Sequence, residues 1–240
     1  MEKSISLIMP AYNEGKHIGA AVRSAVERLK YHQLDYEILI IDDASTDNTT
    51  EVVNVLALED SRIKVFHNPK NMNLGFNFTK GIGLSSKSYV GLWPCHDLID
   101  IKSFDFILPA LGNEKDIVIA YIANHYIRSF KRRAGSQFVM ALLNLFFGFR
   151  LKYYHLNFYR ADLLKTIVKH TENTAYALMG ELLILALSSG ASYVEVPFFR
   201  KERLVGKSNA MRFRNITGFL KTYSRLFWRV RILRKRINLP

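Results

Sequence analysis

Cysteine is almost absent from this chain. Cys95 is the single one in 240 residues, so no intramolecular disulfide can brace the fold, and a reducing compartment is expected. Long apolar runs are missing too. The longest charge-free stretch, Ala134 to Phe149, falls short of the roughly 20 apolar residues of a spanning helix and contains Ser136, Gln137 and Asn144. A clean transmembrane span is thereby excluded, while an interfacial helix stays open. No charged-then-apolar leader with a cleavage site follows Met1, which points to a cytoplasmic location. Internal repeats and low-complexity linkers are lacking as well. From Arg203 to Pro240 there is no acidic residue, whereas arginine and lysine recur from Arg203 and Lys207 through Arg225, Arg229 and Arg231 to Arg234, Lys235 and Arg236. The formal charge of +13 therefore belongs to a tail, and the remainder is close to neutral.

What is present suffices for one substantial core, since 49% of the residues are hydrophobic. The runs SISLIMP, YEILIID, RIKVFH and YVGLW read as buried strands. Between them, EGKHIGAAVRSAVERLK, STDNTTEVVNVLAL and FNFTKGIGLSS read as helices. That alternation implies parallel pairing with helices on both faces. Later, DIVIAY and SYVEVPFF read as strands, and SQFVMALLNLFFGF and AYALMGELLILALSSG as strongly apolar helices.

Ligands of such sheets sit beyond the carboxyl ends of the strands. Three polar clusters fall there: Pro10, Ala11, Tyr12, Asn13 and Glu14 after the first strand, Asp42 and Asp43 after the second, and Pro94, Cys95, His96 and Asp97 after the fourth. A nucleotide or polar-substrate pocket is the reading these favour. Taken singly, Asn13, Asp42 and Asp43 each read more readily as a helix cap than as a ligand contact.

The segments SLIMPAYNEGKHIGAAVRSA, YEILIIDDASTDNTTEVV and NLGFNFTKGIGLSSKSYVGL, in that order, resemble the opening of family 2 glycosyltransferases of the GT-A fold. The later YALMGELLILALSSGASYVEVPFFRKERLVGKS is similar to the end of their dolichyl- or polyprenyl-phosphate sugar synthase branch. Together these cover most of residues 4 to 209. The resemblance implies an α/β fold: a GT-A type, Rossmann-like, mostly parallel sheet with helices on both faces, plus peripheral amphipathic helices. It implies a transferase domain over residues 1–210 and a basic amphipathic, membrane-associated helix over 211–240. The implied reaction is inverting transfer of a sugar from a UDP- or GDP-sugar to a polyprenyl or lipid phosphate, or to a lipid-linked glycan.

By the same resemblance, Pro10, Tyr12, Asn13, Glu14, Asp42 and Asp43 hold the nucleotide sugar, with Asp43 on the base. The fourth strand should deliver a D-x-D pair for magnesium or manganese, yet Pro94 stands at the first position and His96 at the second, followed by Asp97. His96 and Asp97 are the candidate metal ligands. Three outcomes stay open there: a divalent metal site, a diphosphate held without metal, or lost activity. No second histidine and carboxylate pattern marks Cys95 as a thiol nucleophile, and one cysteine argues against a zinc site.

Glu181, an acid in an otherwise apolar helix, occupies the place of the acidic residue near the acceptor, and with Asp97 it completes the candidate catalytic set. A hydroxyl acceptor needs a base, whereas an anionic phosphate needs none. Arg132, Arg133 and Ser136, with Arg203, Lys207 and Ser208, are the candidate phosphate-binding residues, guanidinium forks being suited to phosphate. In the tail, Phe219, Leu220, Tyr223, Leu226, Phe227, Val230, Leu233 and Ile237 share one helical stripe, with arginines away from it. That pattern fits an anionic membrane surface at the inner face of a membrane, or packing on the chain's own domain. No nucleic-acid module is present. Rival readings are a non-catalytic nucleotide-sugar-binding or scaffold protein, and a transferase to a saccharide hydroxyl.

Overall fold

A computed structural model describes residues 3–95, 99–153, 156–172, 177–201 and 221–240. Strands rich in isoleucine, leucine and valine, apolar on both faces, are stable only when covered on both sides. The first, β1 (Ser4–Ala11), is buried from Ser4 to Met9 and lies centrally between parallel neighbours. The others are β2 (Asp35–Asp42), β3 (Ile63–His67), β4 (Tyr89–Leu92), β5 (Ile117–Ile122), β6 (Leu156–Arg160) and β7 (Tyr193–Phe198). They form one sheet in the order β3-β2-β1-β4-β6-β5-β7. The expected mostly parallel sheet with helices on both faces is what forms.

Alternation divides each strand between two cores. Ile5, Leu7 and Met9, with Ile38 and Ile40, face helices α1 (Ile18–Tyr31), α2 (Thr49–Glu59) and α4 (Phe104–Ala110). Ile8, Leu39 and Ile41 face α3 (Asn73–Leu84), α5 (Phe130–Phe147), α6 (Ala161–Val168) and α7 (Leu178–Ser188).

One strand departs from the alternating reading of the sequence. β6, with only five residues, enters antiparallel between β4 and β5. Gly91 of β4 makes room for it, since a Cβ there would lie 2.1 Å from Cδ1 of the fully buried Phe158. Because β6 runs the other way, α6 starts at the opposite edge and climbs back. The first turn of α7 consequently lies at the edge where β1, β2 and β4 end.

α7 is apolar on every side, and a helix of that kind must be covered on every side. The outer cover is the C-terminal segment. Residues 221–227 are helical, Trp228–Ile232 form a π-helical turn, and residues 233–240 have no regular structure. The single amphipathic helix expected over 211–240 is therefore not formed by residues 221–240. Within them, Leu226 and Ile237 are buried and Tyr223, Phe227 and Val230 pack beside them in the second core, so most of the described stripe is spent inside the protein. Phe219 and Leu220 lie outside the described residues.

Candidate active site

β1 and β2 end side by side, and the backbone beyond each turns left-handed at a residue other than glycine. Asn13 has φ 56° and Ala44 has φ 62°. Such conformations cost energy and persist where surrounding bonds enforce them. Here the Thr46 amide donates to Asn13 Oδ1 at 2.8 Å and the Asn13 amide to Ser45 Oγ at 3.1 Å. The Glu14 amide donates to Thr49 Oγ1, and the Gly15 amide to Asp47. At Gly15 the approach is close: a Cβ would sit 2.0 Å from Asn48 Oδ1, so the Asn48 side chain would have to shift to admit one.

The two aspartates that end β2 have different duties. Asp42 accepts from the Ser45 amide, from Thr50 Oγ1 at 2.7 Å and from His67 Nδ1 at 3.0 Å. Burial alone would raise its pKa, but these hydrogen bonds outweigh burial and hold the carboxyl below its ordinary value. A depressed folded-state pKa stabilises the fold above the unfolded value of about 3.9, and that stability is lost as pH falls through the folded value. Asp42→Asn is thus expected to melt below the parent protein at pH 6, with the gap closing below about pH 4, as thermal melts across that range would read.

Asp43 turns the other way. Its Oδ1 accepts from Asn68 Nδ2 and from the Met72 amide, both at 2.8 Å, and its Oδ2 from the Asn73 amide at 3.0 Å. Asn73 opens α3 at φ 71°, so Asp43 anchors a strained helix start. Asn68 also donates to Asn77 Oδ1 and accepts from Lys80 Nζ at 2.8 Å. None of Asn68, Asn77 and Lys80 was singled out from the sequence, although Asn68 directly follows β3 at the same edge and was legible by that rule.

Pro10 is partly buried and Tyr12 is 48% exposed beside this loop. Burial raises the Glu14 carboxyl above its usual range, with a smaller push from Asp47 and an opposing pull from His17. Cys95 is buried, and its thiol donates to the Pro10 carbonyl. Burial pushes that thiol far above the ordinary range, so it stays protonated at neutral pH and is no nucleophile.

Glu181 is fully buried in the first turn of α7, at the edge where the strands end. Its Oε1 accepts from Arg225 Nη2 at 2.6 Å and from the Glu172 amide at 3.3 Å. Arg225 also pairs with the Glu172 carboxylate. A buried carboxylate demands such a partner. Nothing local in the sequence names Arg225, which is 44 residues away.

Residues 6–179 match the family described as glycosyl transferase family 2. The chain belongs to glycosyltransferase family 2.

This family 2 chain is 27% identical over 126 residues to glycosyltransferase GlyG of Streptococcus pneumoniae serotype 4, a match covering 52% of this chain and 40% of GlyG. It is 27% identical over 128 residues to the chondroitin synthase of Pasteurella multocida, covering 51% of this chain and 12% of that protein. It thus spans less than half the length of these relatives. Among solved structures it is similar to glucosyl-3-phosphoglycerate synthase from Mycobacterium tuberculosis in complex with Mn2+, UDP and phosphoglyceric acid. That likeness has a TM-score of 0.69 at 16% identity, over 94% of this chain and 78% of the other. The Mg2+ and UDP complex of the same enzyme gives 0.68 at 17% identity, over 93% and 79%. At such identities the likeness is one of fold.

The remaining sites of the family 2 chain divide in two. At the head of α5, Arg128 Nη1 donates to Ser136 Oγ, whose hydroxyl donates back to the carbonyls of Arg132 and Arg133. Ser136 is therefore engaged with its own helix. Arg132 is exposed, and Arg133 Nε is buried with no partner among the described residues. His96 and Asp97, like Arg203, Lys207 and Ser208, lie outside the described residues. Among the described residues no group of three metal-ligating side chains exists. Asp42 and Asp43 accept mainly from protein donors, and Cys95 points inward, so these residues do not by themselves fit a divalent ion. Also among the described residues, no helix is long and apolar enough to cross a membrane.

Proposed function

We propose that this glycosyltransferase-family chain moves a sugar from a nucleoside diphosphate donor, by in-line displacement with inversion, to a lipid phosphate or lipid-linked glycan. The observation that carries the donor half is the state of Asp43. An ionised carboxylate accepts about four hydrogen bonds, and three are filled by protein groups. One position is left, which suits the single imide N–H of uracil better than the paired donors of guanine. UDP-sugar is accordingly the preferred donor. Tyr12 and Pro10 wall the nucleotide, Asn13 holds the loop, and Glu14 lies on the ribose side.

His96 and Asp97 are assigned to the diphosphate, and Arg203, Lys207 and Ser208 to the phosphates. If a divalent ion is held, His96 and Asp97 are the residues that hold it. One imidazole and one carboxylate suit Mn2+ better than Mg2+. Such an ion would offset the charge of the leaving group. Arg132 and Arg133 are assigned to the acceptor phosphate, which agrees with the unsatisfied Arg133 Nε. The outward face of α5, where Phe130 is 80%, Phe138 65% and Leu145 73% exposed, is the surface assigned to lipid in place of the tail. The protein is then peripheral at the inner face of a membrane.

One feature favours a second reading, a non-catalytic nucleotide-sugar-binding protein: Pro94 stands where a metal-binding aspartate is expected. Calorimetric titration with UDP- and GDP-sugars, in Mn2+, Mg2+ or chelator, tests both, followed by assay for transfer. Tighter binding of a UDP-sugar, strengthened by Mn2+, is the expected result. No binding of any donor overturns the donor assignment, and binding without transfer or hydrolysis under any ion favours the second reading.

A further inference from the structure

The C-terminal segment borders an open surface cavity apart from the donor edge and from the head of α5. Its volume is about 520 Å³, and its wall is formed by Glu172, Arg225, Trp228, Arg229, Leu233 and Lys235. Three of those six side chains are cationic. Arg225 is committed to Glu172 and Glu181. Arg229 gives one N–H, from Nη1, to the His170 carbonyl at 2.9 Å. Neither Arg229 nor Lys235 has an ion pair among the described residues. Counting Glu172 and the buried Glu181 against them, the three cations leave one net positive charge.

The backbone beside this cavity is bent at some cost. Trp228–Ile232 is a π-helical turn, closed by the Leu233 amide on the Trp228 carbonyl at 2.9 Å. Arg234 follows at φ 50°, and the Lys235 amide then returns to the Arg229 carbonyl. π-turns and left-handed residues other than glycine are both costly and are found disproportionately at functional sites. Here an indole, 60% exposed, lines the same cavity as two cations that have no ion pair among the described residues. An exposed aromatic face next to an arginine fork is the chemistry that holds a phosphate carried on a ring or chain.

We infer that this cavity is a binding site for a phosphate ester, with Arg229 and Lys235 donating to its oxygens and Trp228 covering the attached sugar ring or chain. Arg225 joins the cavity wall to Glu181, so occupancy is coupled to the acceptor side of the proposed reaction. Phe227 packs on Phe146 and Phe147 at the far end of α5, while Arg132 and Arg133 lie near its head. Thirteen or more helical positions, roughly 20 Å at 1.5 Å each, separate the two basic sites along the helix.

The test uses the full chain. Glucose 1-phosphate is titrated by calorimetry, flotation is measured with phosphatidylcholine vesicles with and without phosphatidic acid, and UDP is titrated on the same samples. The Arg229→Gln/Lys235→Gln pair is expected to weaken phosphate-ester binding by about tenfold or more, as the loss of charged hydrogen bonds implies, with UDP affinity unchanged. Lys235→Gln alone removes an exposed side chain, so it should leave the melting temperature unchanged and still weaken binding several-fold. Loss of glucose 1-phosphate binding in the variants supports the site with a soluble ligand, and loss confined to the phosphatidic acid vesicles supports it with a lipid-borne one. Equal binding by parent and variants, or no binding of either probe by the parent, overturns it. Absence of UDP binding beside intact phosphate-ester binding would instead sink the transferase reading and leave the cavity standing.

Discussion

Asp43→Ala is expected to abolish measurable nucleotide-sugar binding, a loss of at least about 100-fold. Two losses combine in that variant. The proposed contact to the base disappears, and so does the acceptor for the amides of Met72 and Asn73, which start α3 in a strained conformation. Each buried donor left unsatisfied costs about 1–3 kcal/mol. Asn77→Ala, which removes a bond to Asn68 while sparing every bond to Asp43, controls for loosening of the surrounding network. Calorimetry of that control should show donor affinity within a few-fold of the parent. Unchanged nucleotide affinity in Asp43→Ala would remove the donor assignment altogether.

The other large effect is expected at the pair between Glu181 and Arg225. Arg225→Ala takes from a fully buried carboxylate the guanidinium that donates to its Oε1 at 2.6 Å. Breaking a buried pair from one side costs about 3–5 kcal/mol, and the lower end applies here because solvent reaches about a third of the Arg225 side chain. Adding Glu181→Gln to Arg225→Ala should restore part of that stability in urea denaturation, since the buried charge that lost the Arg225 guanidinium is then gone. Glu181→Gln alone also tests the acceptor. A hydroxyl acceptor deprived of its base would lose about 10²–10⁴-fold in transfer. A phosphate acceptor arrives anionic, so a loss of about tenfold or less, with donor binding intact, is the expected outcome.

The pairing of Glu181 with Arg225 also shows where reading the sequence ran short. The acid in LMGELLIL was conspicuous because a carboxylate among apolar residues needs a partner, but helical periodicity has no power to identify one in a distant segment. The tail was ambiguous for a related reason. A stripe of Tyr223, Leu226, Phe227 and Val230 satisfies lipid and protein equally, and only the position of α7 resolves which one receives it. A signal did exist on the other side of that contact, since a helix as apolar all round as α7 requires an outer cover.

By itself the sequence determined the alternation of strands and helices, the two-faced burial of β1 and β2, and the gathering of Asn13, Asp42 and Asp43 at one edge. Those features follow from side-chain period and from the rule that parallel strands present their carboxyl ends together, both of which operate over a few residues. Tertiary structure alone decided the antiparallel insertion of β6, the three protein donors on Asp43, the burial of Glu181 against Arg225 and the cavity beside the π-turn. Each of these depends on which distant groups satisfy a buried hydrogen bond or charge, a cost that is settled only when the whole chain has packed.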